Sequence, residues 1–232
     1  MSQRHPGARR TKSEGSQEPD DIFVAKILGA GKWAEANQQV LTVAGVVLAI
    51  GIAGLVYYGS YRSTMSDQAT QQLELVHQSI GIGDPEGAKA DLITFLERFG
   101  NTSYEGEARL LLGQLYLESD DPQQALAVLD PLGSSPRSPI ELQGASLLAT
   151  AYEQEERWDD AEDVYLSIAS RSDLDFEVRN ALAAAARIRG DQGDAEGAIE
   201  LYERVLADLE DNAPERGLFE MRIEELRIAS NT

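Results

Sequence analysis

An all-α fold is predicted for this chain: one N-terminal transmembrane helix, then an α-solenoid of about four helix pairs and a C-terminal capping helix. Three observations carry that expectation. Val40 to Tyr58 contains no ionisable group except its two closing tyrosines. Small residues recur at Ala88, Ala125, Ala161 and Ala198, spaced 37, 36 and 37 apart. Charge is divided unevenly around the apolar run, with six bases against five acids in residues 1–39 and 14 bases against 35 acids beyond it.

Composition also excludes function classes. The 232 residues carry 40 acidic and 20 basic side chains, a net charge of -20, so the chain repels phosphate backbones and no nucleic-acid partner is expected. There is no cysteine and only two histidines, His5 and His77, which removes thiol catalysis, disulfide frameworks and Cys/His zinc sites.

The elements follow in chain order. Residues 1–19 are rich in Gly, Pro, Ser and charge, with almost no large apolar side chain, and are expected to form a disordered tail. Residues 20–39 change pattern: Asp20 and Asp21 are placed to cap a helix whose Ile22, Phe23, Ile27 and Leu28 make an apolar stripe, predicting a juxtamembrane amphipathic helix. Residues 40–58 would span roughly 28 Å as a helix, close to the ~30 Å of bilayer hydrocarbon. A cleaved secretory signal fits less well, because the run ends in bulky Tyr57-Tyr58 and about 40 residues precede it. Trp33 on one side and Tyr57, Tyr58 and Tyr61 on the other suit the two interfaces. Lys26 and Lys32 precede the run and only Arg62 follows closely, so the positive-inside rule places the N-terminus in the cytoplasm and the domain from residue 64 to 232 outside it. In a Gram-negative cell that means an inner-membrane anchor with a periplasmic domain.

Within 64–232, three residues before each recurring alanine stand Pro85, Pro122, Trp158 and Ala195, preceded by Asp84, Asp121, Arg157 and Asp194. Four residues after each alanine stand Leu92, Leu129, Tyr165 and Tyr202. Upstream, Leu112-Gly113-x-x-Tyr116 is echoed by Leu148-Ala149-x-x-Tyr152, while the fourth copy has Ala186 and Arg189 and the first has Val76 and Ser79. Small residues let paired helices approach, and Tyr or Leu fills the groove between them. This pattern resembles the tetratricopeptide repeat family over about Ser66 to Asn212, with longer periods that extra loop residues such as Gly133–Pro139 explain. Pro214 is placed to start a last helix, Glu215 to Ile228, with Leu218, Met221 and Leu226 available to pack and Glu220, Arg222, Glu224, Glu225 and Arg227 outward, as a solenoid cap requires.

Enzyme chemistry is not expected. Gly29-Ala30-Gly31-Lys32-Trp33 lacks the glycine spacing and the Ser or Thr of a phosphate loop. Asp191 to Glu196 has Gly193 where a calcium loop needs its second ligand. His77 has no second histidine near it, and Asp159, Asp160, Glu162 and Asp163 suit a solvated helix start. No catalytic residue, metal ligand or cofactor is therefore assigned.

The resemblance implies a concave surface, built mainly from the first helix of each pair, that binds peptides or protein domains. Carrying the family's groove positions over nominates Gln114 and Leu117 in the second unit, Ser146, Thr150 and Glu153 in the third, and Ala183 and Arg187 in the fourth. One arginine beside a glutamate disfavours a C-terminal carboxylate as ligand. In the span, Gly45, Ala49 and Ala53 recur every four residues and form a candidate contact face for another membrane helix. The whole plan, with Gly31 to Asn37 before one span and repeats starting close after it, resembles the YfgM-like ancillary subunits of the SecYEG translocon. That likeness implies translocon subunits and a periplasmic folding factor as partners. An assembly or stabilising subunit of another inner-membrane or envelope-biogenesis complex is the alternative, and an enzyme regulated through its repeats a third.

Overall fold

The computed structural model describes residues 33–230. The expected tail, 1–19, and most of the expected juxtamembrane helix, 20–39, lie outside them. The chain divides into two compact units, Met1–Ser60 and Tyr61–Thr232. Helix α1, Gln38–Gly81, is continuous across that division.

In the first unit, the apolar part of α1 is long and apolar enough to cross a membrane, and none of it is buried. A helix satisfies its own backbone groups, which is what a hydrocarbon environment demands. At its start the Thr42 hydroxyl donates to the Gln38 carbonyl (2.8 Å).

In the second unit, the end of α1 pairs with α2, Pro85–Phe99, followed by α3, Glu105–Glu118, with α4, Pro122–Gly133. Next come α5, Pro139–Gln154, with α6, Trp158–Arg171, and α7, Asp175–Asp191, with α8, Ala195–Asp208. A single helix, α9, Arg216–Ser230, closes the series.

The recurring residues have distinct physical jobs. Ala88, Ala125, Ala161 and Ala198 are all fully buried. Gly113 needs to be small, since a Cβ there would lie 2.5 Å from the Leu129 side chain. In the first pair Val76 occupies the equivalent place, and α1 and α2 approach less closely than the later pairs. Each hairpin turns on a residue in the left-handed region, Gly83, Asp120, Glu156 and Gly193, at φ of 80°, 57°, 57° and 89°. The next residue caps the second helix: Asp84, Asp121 and Asp194 accept from the backbone N–H of Gly87, Gln124 and Gly197. The third hairpin has Arg157 instead, which donates to Asp160 (2.7 Å) and lies 4.5 Å from the centre of the Tyr152 ring.

The last helix packs through Leu226 as expected, but not through Leu218 and Met221. Ile223 is buried, with Phe219 and Leu226 half-buried beside it, and the Phe219 ring meets Tyr202 at 5.9 Å. Leu218 and Met221 are half exposed. Spacing of i, i+4 and i+7 aligns 219, 223 and 226 on one stripe, from which 218 and 221 are rotated away. The charges assigned outward are exposed.

Candidate functional site

The first helices of successive pairs, α3, α5 and α7, carry the nominated groove residues. Four of them converge on Tyr165, which reaches over from α6. Its hydroxyl donates to Glu153 Oε1 (2.8 Å), and Arg187 Nη2 on α7 donates to Glu153 Oε2 (2.6 Å). Arg187 Nη1 also stands 3.7 Å from Asp191. Thr150 stands beside the Tyr165 hydroxyl and returns its own to the Ser146 carbonyl (3.1 Å). One carboxylate thus joins α5, α6 and α7.

Burial, reinforced by the hydrogen bond to Glu153 and its negative charge, pushes the Tyr165 phenol from 10.0 to about 12, with Thr150 and Arg187 opposing. For Arg187 burial acts downward, but Glu153 outweighs it and the guanidinium is held above its ordinary value. Burial also raises Tyr202. Arg187, the arginine among the nominated residues, is therefore already paired, and an incoming carboxylate would have to compete with Glu153.

Two depressions lie along this face, each over the tyrosine four residues after a repeat alanine. Between α5 and α7 a cavity of about 380 Å³ has Tyr165, Leu142, Ile168, Ala181 and the half-exposed Phe176 in its wall. Ser146 lines it too. Between α7 and α9 one of about 370 Å³ lies over Tyr202 and is edged by Arg187, Asp191, Arg222 and Glu225.

The remaining nominated residues stand apart. Gln114 is exposed and donates to Glu118 on its own helix (2.9 Å). Leu117 packs against the core around Ala125 and Leu129, and Ala183 against the core around Leu182 and Val205. In the first unit, Gly45, Ala49 and Ala53 all lie exposed on α1, and Ala49 and Ala53 edge a shallow recess with Ile52 and Val56.

Sequence reasoning missed the amides Gln143 and Asn180, exposed on either side of the α5–α7 depression. They stand six residues before Ala149 and Ala186, so the same register that located the small residues could have found them. His77 lies 3.3 Å from Glu107. Among the described residues no group of His, Asp or Glu is placed to hold a metal ion.

A family model described as a tetratricopeptide repeat-like domain matches residues 31–228, a stretch that begins ahead of the apolar run. No curated protein matches the sequence. Among solved structures, a Podosopora anserina protein described as a kinesin light chain with nearly identical TPR-like repeats superposes with a TM-score of 0.56 at 19% identity, covering 71% of this chain and 87% of its own. MamA of RS-1, in the ArsTM double mutant, superposes with a TM-score of 0.51 at 15% identity, covering 72% of this chain and 98% of its own. At such identities the likeness establishes the fold alone.

Proposed function

The chain belongs to the tetratricopeptide repeat-like domain family, and from that premise we propose that it is a membrane-tethered, non-catalytic protein-binding scaffold, an ancillary subunit that sits beside the protein-export translocon and meets a periplasmic folding factor. The observation that carries the binding reading is the face of α5, α7 and α9, where two depressions one repeat apart open over Tyr165 and Tyr202. Repeat arrays of this family generally bind other proteins, and such a face offers apolar floors with polar edges.

The tether is α1, whose apolar run is long enough to span a bilayer. Lysines before it and a single nearby arginine after it favour an inner-membrane orientation with the N-terminus cytoplasmic and the repeats periplasmic. The translocon placement is supported by the order of parts: Gly31 to Asn37, the apolar run, then repeats. A contact through Gly45, Ala49 and Ala53 would hold the anchor against another membrane helix.

Crosslinked pull-down of the full chain from solubilised membranes tests the reading. Recovery of translocon subunits supports it, recovery of a different envelope complex moves the chain to that assembly, and recovery of no specific protein removes the scaffold role. A phosphatase reporter fused after Thr232 is expected to be active outside the cytoplasm, and activity only from a cytoplasmic reporter reverses the orientation. Replacing Gly45, Ala49 and Ala53 together with leucine is expected to preserve insertion and weaken co-purification. Unchanged co-purification would make the span a bare anchor.

A further inference from the structure

Each depression has a repeat tyrosine in its wall, but their edges differ, and the difference identifies a ligand. Around the α7–α9 cavity the polar groups are charged and partly satisfied: Arg187 is held by Glu153, and Arg222 donates to Glu225 (2.8 Å). Around the α5–α7 cavity stand two neutral amides, Gln143 on α5 and Asn180 on α7, at the same register of successive repeats. A side-chain amide offers a donor and an acceptor together, the complement of a peptide unit, which likewise offers one of each.

The rest of the cavity suits what such a peptide carries. Ile168 and Ala181 are buried, Leu142 and Tyr165 half-buried, and the Tyr165 ring is fixed because its hydroxyl is tied to Glu153. Phe176 leaves about half of its surface in solvent at the mouth, at 54% exposure, an arrangement that gains apolar burial only when something covers it. The cavity wall contains no Lys or Arg, while Glu177 is part of it and the sequence beyond the apolar run carries 35 acids against 14 bases. A terminal carboxylate or an acidic segment finds no counter-charge there, whereas a neutral or basic one is favoured.

We propose that the depression between α5 and α7 takes one bulky apolar side chain from an internal, neutral-to-basic extended segment of another protein, with Gln143 and Asn180 gripping the peptide units on either side of that anchor. This rests on the scaffold reading and specifies the ligand of one of its two depressions.

The full chain in nanodiscs is panned against a random peptide library displayed between two carrier domains, so that no peptide terminus is free. Enriched peptides are then synthesised with blocked ends and their affinities measured. The expected consensus has one large apolar residue flanked by neutral or basic positions. Gln143→Ala with Asn180→Ala weakens binding about tenfold, the loss of two modest hydrogen bonds. Ala184→Trp, at the cavity edge, abolishes binding while leaving the thermal unfolding midpoint in place.

Peptides whose affinity ignores both changes, peptides with an acidic consensus, or an absence of enrichment would each overturn the inference. The scaffold reading fails separately, when the crosslinked pull-down yields no specific protein. Measuring Asn180→Asp alongside separates gripping from packing. With an uncharged consensus peptide the near-isosteric carboxylate keeps the shape but loses the donors and finds no cation to pair with, so binding must fall if the amide donates to the peptide.

Discussion

The third and fourth helix pairs are built to one plan and present different surfaces. Each buries an alanine completely, Ala161 or Ala198, and each sets a tyrosine four residues later beneath a cavity of about 380 or 370 Å³. Yet the third is edged by Gln143, Asn180 and Phe176, and the fourth by Arg187, Asp191, Arg222 and Glu225. Packing constrains the residues between helices, because close approach tolerates few side-chain volumes. Residues on the open edge carry no such constraint, so the repeat can keep its frame while the edge chemistry changes.

If the frames are equivalent, equal damage to them must cost equally. Ala161→Leu and Ala198→Leu each overpack a helix pair and are expected to destabilise the chain by about 1–3 kcal/mol in denaturant unfolding. A large inequality would mean that one pair packs around its alanine and the other does not.

The tyrosines sharpen the contrast. Tyr165→Phe removes a hydrogen bond to Glu153 and is expected to cost about 1 kcal/mol. Tyr202, whose ring packs on Phe219, should lose much less on the same change. Spectrophotometric titration should show a phenol ionising near pH 12, absent from Tyr165→Phe. Because the folded protein keeps that proton when the unfolded chain has released it, the contribution is intact below pH 10 and is lost as pH rises from about 10 to about 12. An unchanged titration curve in Tyr165→Phe would remove the half-buried Tyr165–Glu153 contact.

The smallest effect is in the turns. Glu156 in the third pair and Gly193 in the fourth share the left-handed conformation, at φ 57° and 89°. A side chain is strained there and glycine is not. Glu156→Gly is therefore expected to raise stability by about 0.5–1 kcal/mol and Gly193→Ala to lower it by about as much, both read from the denaturant midpoint. Matching signs for the two changes would show that the turns are not equivalent.

These same residues show how far the sequence could be read. The helix pairs were legible because Ala88, Ala125, Ala161 and Ala198 answer a volume constraint that repeats with the fold. Asp120 and Glu156 were not legible as left-handed turn residues, since neither is the glycine that normally marks such a turn. In α9 the sequence offers two overlapping apolar stripes, and only contact with Tyr202 and Val205 selects Phe219, Ile223 and Leu226 over Leu218 and Met221. Of the nominated groove residues, Ser146, Thr150, Glu153 and Arg187 meet around Tyr165, whereas Leu117 and Ala183 serve packing. Gln143 and Asn180 share the register of the repeats, but an exposed amide answers no volume constraint and so does not stand out among the other polar residues of its helix.

Site-specific photocrosslinking in intact cells tests the central claim most directly. A photoreactive amino acid is placed at Gln143, Asn180 or Ser146 on the edge of the α5–α7 cavity, and for comparison at Arg204, which is exposed on α8 away from it. Discrete protein adducts from the three cavity positions, with little from Arg204, are the predicted result. Adducts of equal yield from Arg204, or none from the cavity positions, would contradict a scaffold that binds its partner through this face.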